Sequence, residues 1–160
     1  MFLIPFVTLF PEQAKTETRT LMTRNHPDLP DDNYGLIELY CSDPTCNCRR
    51  VMLNIHGERQ GHLATISYAF DRDDEMAGPF LDPLNPQSRF ATTLLSLVRQ
   101  VLEDSAYVAR LEAHYYQVKG ITAAPTPAVQ HLLLERGGGG PSPLPRAKTS
   151  SRKRPQRRKR

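Results

Sequence analysis

All three cysteines of this 160-residue chain fall within eight positions, as Cys41-Ser-Asp-Pro-Thr-Cys46-Asn-Cys48. Thiolates are soft donors, and zinc asks for about four tetrahedral ligands, usually thiolate and imidazole. A turn through Asp43-Pro44 returns Cys46 towards Cys41, and the Cys-x-Cys step lets Cys48 close on the same ion. Arg49 and Arg50 follow directly, where their charge can offset three thiolates. Copper(I) also favours thiolates and is satisfied by two or three of them. An iron–sulfur cluster normally takes four cysteines, one more than the chain has. The plainer reading is three ordinary reduced thiols, since free cysteine is commonly buried.

Three cysteines cannot all pair, and Cys46 and Cys48 are too close in sequence for an unstrained disulfide. A reducing, cytoplasmic setting with thiols free to ligate metal is therefore expected. A closed zinc site still needs a fourth ligand. His56 and His62 bracket a hairpin loop, and His114 falls on the core side of a helix. An inward histidine is more often a hydrogen-bonded core residue than a ligand, so the residues alone leave the choice open. His26 and His131 sit in loop and tail context and are set aside.

The elements that must position these residues can be read from periodicity. Glu17 to Thr23 reads as a short edge strand. Tyr34 to Cys41 alternates as a strand, which places Cys41 on the Ile37/Leu39 face. Val51–Ile55 is a second strand, with Val51, Leu53 and Ile55 aligned. Leu63–Phe70 is a third, and the loop from Gly57 to Gly61 joins the two as a hairpin. The stretch 78–88 is a proline-punctuated connector ending at Ser88, a candidate N-cap. One helix then carries the stripe Phe90, Leu94, Leu97, Val98, Val101. A second starts at Asp104 or Ser105, carries Leu111, Tyr115 and Val118, and stops at Gly120. The fold expected is α+β, a small antiparallel sheet of about four strands packed on two C-terminal helices.

Around this domain, placed at residues 16–120, three further segments are expected. Residues 1–15 form an N-terminal flap. The apolar run Phe2–Phe10 is far shorter than the ~20 residues of a membrane helix, and it lacks the flanks of a signal peptide. Residues 121–136 are weakly ordered, and Gly137–Gly140 lead into a disordered basic tail at 137–160. The charge is divided accordingly. Residues 1–136 hold 12 Lys+Arg against 17 Asp+Glu, whereas residues 137–160 hold 9 Lys+Arg and no acid. A basic groove for nucleic acid on the body is thus disfavoured. The tail residues Arg152, Lys153, Arg154, Arg157, Arg158, Lys159 and Arg160 form a block that attracts polyanions such as nucleic acid or the ribosome. No aromatics are interleaved for base stacking. The bland alternative is a solubilising tail.

Signals of catalysis are missing. There is no Gly-x-Ser-x-Gly, Walker loop, dinucleotide fingerprint or His-Glu-x-x-His, and no deaminase pattern. The acidic run Asp71–Glu75 lacks the spacing of a calcium loop and reads as a solvated turn.

Three motifs in order carry a resemblance. They are Tyr34-Gly-Leu-Ile-Glu-Leu-Tyr-Cys-Ser-Asp-Pro-Thr-Cys-Asn-Cys-Arg-Arg-Val51, the connector Gly78-Pro-Phe-Leu-Asp-Pro-Leu-Asn-Pro-Gln-Ser88, and Tyr107-Val-Ala-Arg-Leu-Glu-Ala-His-Tyr115 followed by Lys119. Over about Glu17 to Lys119 the chain resembles a family of small uncharacterised bacterial proteins. Several relatives carry a C-terminal SEC-C zinc motif, of the kind found in the preprotein translocase ATPase. The basic tail stands in that place here and has no cysteine. The resemblance implies no particular activity. It does favour His114, in the His-Tyr pair of the third motif, as fourth ligand over His56 and His62.

The expectation is therefore a non-enzymatic zinc-binding adaptor, with structural Zn²⁺ on Cys41, Cys46, Cys48 and His114. Its partners would be nucleic acid or ribosome through the tail, or another protein through the acidic body, and no membrane. The alternatives are an interaction module with an inert tail, or a metalloenzyme with an open three-cysteine site.

Overall fold

Buried and half-buried residues alternate along Asp32–Cys41 with the period of two that marks a strand with one face in the core. In the computed structural model, which describes residues 2–124 and 127–137, this strand is the spine of the molecule. In chain order the elements are β1 (Leu3–Pro5), α1 (Phe6–Leu9), α2 (Pro11–Glu17), β2 (Thr20–Thr23), β3 (Asp32–Cys41), β4 (Arg50–Gly57), β5 (Gly61–Ala69), β6 (Phe80–Leu81), α3 (Ala91–Val101), α4 (Ser105–Ala123) and α5 (Pro127–Gly137).

The α+β class is as expected, but the sheet is larger than four strands. Six antiparallel strands run β1-β3-β4-β5-β6, with β2 also on β3. Strand β3 is shared end to end: β2 pairs with residues 32–35 and β1 with residues 39–41. The β4–β5 hairpin forms as read, closing at Gly61 with φ +72°, and His56 sits opposite His62.

Helices α3 and α4 cover one face of the sheet. Their inward side chains, Leu94 and Val98 on α3 and Tyr107, Leu111 and Val118 on α4, meet Leu36, Leu53, Ile55 and Ile66 in a single core. That face of β3 presents Tyr34, Leu36, Glu38 and Tyr40, all buried. The apolar-looking alternation of Ile37 and Leu39 lies on the other, partly exposed face. A charged residue at the centre of the core face inverts the pattern that hydrophobicity alone suggests, and it is tolerated because it is fully partnered.

Several boundaries also differ. The N-terminal segment is a strand and two short helices, and α2 runs through Glu17, so β2 begins only at Thr20. Ser88 accepts a hydrogen bond from the Phe90 N–H one turn ahead of α3, whose N-cap is Phe90. Asp104 caps α4, its carboxylate accepting from the Ala106 and Tyr107 N–H groups. Helix α4 continues through Gly120 to Ala123. A further helix, α5, follows and lays Leu133 on the core. Of the tail expected at 137–160, Gly137 ends α5, and residues 138–160, with the seven basic residues from Arg152 to Arg160, lie outside the described residues.

Candidate metal centre

Cys41 is the last residue of β3 and is buried, while Cys46 and Cys48 lie half-buried on the loop that returns to β4. Local polar contacts fold this loop. The Asp43 carboxylate accepts from the Thr45 N–H at 2.8 Å and from its hydroxyl at 2.7 Å. This is the Asx-type turn that Asp-Pro-Thr favours, and it holds the Asp43 carboxyl below the usual range. The Cys46 N–H donates to the Asp43 carbonyl at 3.3 Å, and the loop start is tied to the N-terminus by Ser42 N–H on the Phe2 carbonyl at 2.9 Å.

All three thiols are free, and their sulfur atoms lie within 4.8 Å of one another. A tetrahedral ion with Zn–S bonds of ~2.3 Å separates its sulfurs by about 3.8 Å, so shifts of about 1 Å close the set on an ion. The donor set therefore fits a thiophilic metal. The thiols differ in character. Hydrogen bonding from Cys48, its backbone foremost, lowers the Cys46 pKa, with help from the charge of Lys119. Burial, reinforced by Cys46 and Cys41, pushes Cys48 up to about 12.

The cation that reaches this loop is Lys119, not the neighbouring arginines. Its ammonium donates to the carbonyls of Asp43 at 2.6 Å and Cys46 at 2.9 Å, and it lies 5.6 Å from the Tyr115 ring centre. Arg49 turns instead to Asp71, Glu112 and Tyr116, and Arg50 to Asp74, the Ser67 hydroxyl and the Met76 carbonyl. The acidic run expected as a solvated turn thus supplies ion-pair partners through Asp71 and Asp74.

His114 is not brought to the cysteines. It is buried, with Nδ1 2.7 Å from Glu38 Oε2 and Nε2 2.6 Å from Glu17 Oε2, and Phe6 stacks on its ring at 4.0 Å. Both ring nitrogens face carboxylates, which corrects its expected place as fourth ligand. The reason is helical phase. Tyr115 and Lys119, four residues apart, share the face towards the cysteine loop, and His114 sits about 100° round the axis. There it joins α4 to α2 and β3.

The Glu38 carboxylate also receives the Tyr40 hydroxyl at 2.8 Å, and Gln13 donates to Glu17 at 3.0 Å. Only an imidazolium can donate to both carboxylates at once. Burial works against charging His114, but the hydrogen bonds and charges of Glu38 and Glu17 outweigh it, and its pKa is raised. Glu17 is correspondingly lowered, first by Gln13 and then by His114.

The other histidines are elsewhere. The His56 and His62 rings meet edge to face at 5.4 Å, and His62 Nε2 lies 2.9 Å from the Thr65 hydroxyl. His56 is six residues along β4 from Arg50, about 20 Å at the rise of a strand. His26 accepts from the Asp28 N–H, and His131 is on α5. Among the described residues, no histidine, aspartate or glutamate joins the three sulfurs as a ligand group.

Compared with models of known families, with curated proteins and with solved structures, the chain matches none. No described helix is long and apolar enough to cross a membrane.

Proposed function

We propose that this chain is a non-enzymatic zinc-binding adaptor in which Cys41, Cys46 and Cys48 hold a structural Zn²⁺. The convergence of three sulfurs within 4.8 Å carries this reading. The ion would close the β3–β4 loop where Lys119 fastens it to α4, so metal binding would add free energy to folding of the whole domain. A ligand loop tied down at Phe2, Thr45 and Lys119 suits a holding site better than a mobile reactive one. In the same reading, the tail block Arg152–Arg154 and Arg157–Arg160 gives weak, sequence-indifferent association with nucleic acid or the ribosome.

The test is metal analysis of protein purified without added metal. One zinc per chain is expected, lost in Cys46→Ser and kept in His114→Ala. Protein that stays metal-free after reconstitution with zinc would defeat the reading.

A further inference from the structure

The fourth coordination position is where the cluster departs from an ordinary structural zinc site. Closed zinc sites use four protein ligands. Here the set stops at three sulfurs among the described residues. The Asp43 carboxylate is turned onto Thr45, the buried imidazole of His114 is held between Glu38 and Glu17, and Lys119 faces backbone carbonyls.

Beside the sulfurs lies a small cavity lined by Leu3, Cys41, Cys48, Arg50, Met52 and Ser67. Strand register explains it. Leu3 pairs with Cys41 across β1–β3, and Met52 pairs with Leu39 across β3–β4 and with Ser67 across β4–β5, all on the sheet face away from α3 and α4. Its polar members, Arg50 and Ser67, bond to each other at 3.1 Å. The Met52 sulfur is 4.0 Å from the Asn85 amide, so Met52 serves as wall. Beside Cys41 and Cys48 the cavity wall is thus formed mainly by the apolar side chains of Leu3 and Met52, with Arg50 and Ser67 bonded to each other.

Resting on the reading of the cluster as a metal centre, we propose that these three thiolates take monovalent copper in trigonal coordination, and take it in preference to zinc. The chemistry follows from the donor count. Copper(I) is soft and is satisfied by two or three thiolates, whereas zinc is left one ligand short. No electron moves in the step. Copper enters as Cu(I), three Cu–S bonds form, thiol protons pass to solvent, and any resident zinc leaves as Zn²⁺.

The experiment uses the full chain, reduced and handled without oxygen. It is loaded with one equivalent of zinc and titrated with a Cu(I)–acetonitrile salt, with a chromophoric zinc chelator reporting release. One equivalent of copper should expel the whole equivalent of zinc, and X-ray absorption at the copper edge should show three sulfur neighbours and no nitrogen or oxygen. In Cys46→Ser the copper should be held by two sulfurs in place of three and no longer expel zinc stoichiometrically in wild-type fashion, whereas His114→Ala should leave both readouts unchanged. Zinc retained at one equivalent of copper, or a copper with a nitrogen or oxygen neighbour, overturns this inference and leaves the metal-centre reading standing. Protein that takes up neither zinc nor copper overturns both.

Discussion

His114 and Glu38 are buried charges in the middle of a small core, and their value to the fold depends on each remaining paired. Removing one partner of a buried pair leaves the other uncompensated, which costs about 3–5 kcal/mol. His114→Ala should therefore lower the free energy of urea unfolding by about that amount, while leaving zinc content unchanged. Unfolding close to that of the parent protein would show that the pair contributes little. The pH dependence follows in sign. The folded pKa of His114 lies above its ordinary 6.5, so its contribution is fully present below that value and is lost as pH rises through the raised folded pKa. The folded pKa of Glu17 lies below its ordinary 4.5, so its contribution is present above that value and is lost as pH falls through the lowered folded pKa. Stability should therefore be highest between these two limits, and the decline on the alkaline side should flatten in His114→Ala. Midpoints of chemical unfolding measured from about pH 2 to about pH 9 would check both limbs.

At the scale of elements, α4 is the member that serves two sites. Its inner stripe enters the core, and its Tyr115/Lys119 edge reaches the cysteine loop. Lys119 touches no sulfur in a hydrogen bond, yet it fixes two carbonyls on either side of the turn between Cys41 and Cys46. Groups that orient ligands in this way commonly change metal affinity by about 10–100-fold when removed. Lys119→Met should weaken zinc by a factor in that range in a chelator competition, with one zinc still bound at saturation. An unchanged affinity would mean that the loop is ordered without α4. Helices α3 and α4 and the β4–β5 hairpin were legible because apolar periodicity, the Asp104 cap and the two glycines of the hairpin loop all point to one answer. The core face of β3 and the extent of α2 were not. Glu38 reads as a solvent residue until His114 arrives from another element, and Glu17 reads as strand until it is seen closing the same network.

Across the whole molecule, the acidic body and the basic C-terminal block are separate electrostatic objects. Residues 1–136 have a deficit of 5 positive charges, from 12 Lys+Arg against 17 Asp+Glu, and the remaining 24 residues hold 9 Lys+Arg. Deleting residues 138–160 should leave zinc content and unfolding midpoint unchanged. It should also abolish binding to an arbitrary RNA, binding that in the full chain weakens steeply with salt. Retention measured on immobilised RNA at several salt concentrations separates this outcome from a body that binds on its own.

The sequence alone determined the cysteine cluster as a donor set, the α+β class and the charge division, because each is a property of residue type and short-range spacing. Which groups stand next to the sulfurs was decided by tertiary structure. A rotation of about 100° per residue on α4 separates His114 from Tyr115, and so sends the histidine to two carboxylates and the lysine edge to the metal loop. That phase relative to β3 is set by how the helix packs, through Leu111 and Val118 in the core. Local spacing carries no record of it, and it leaves the three thiolates without a nitrogen partner among the described residues.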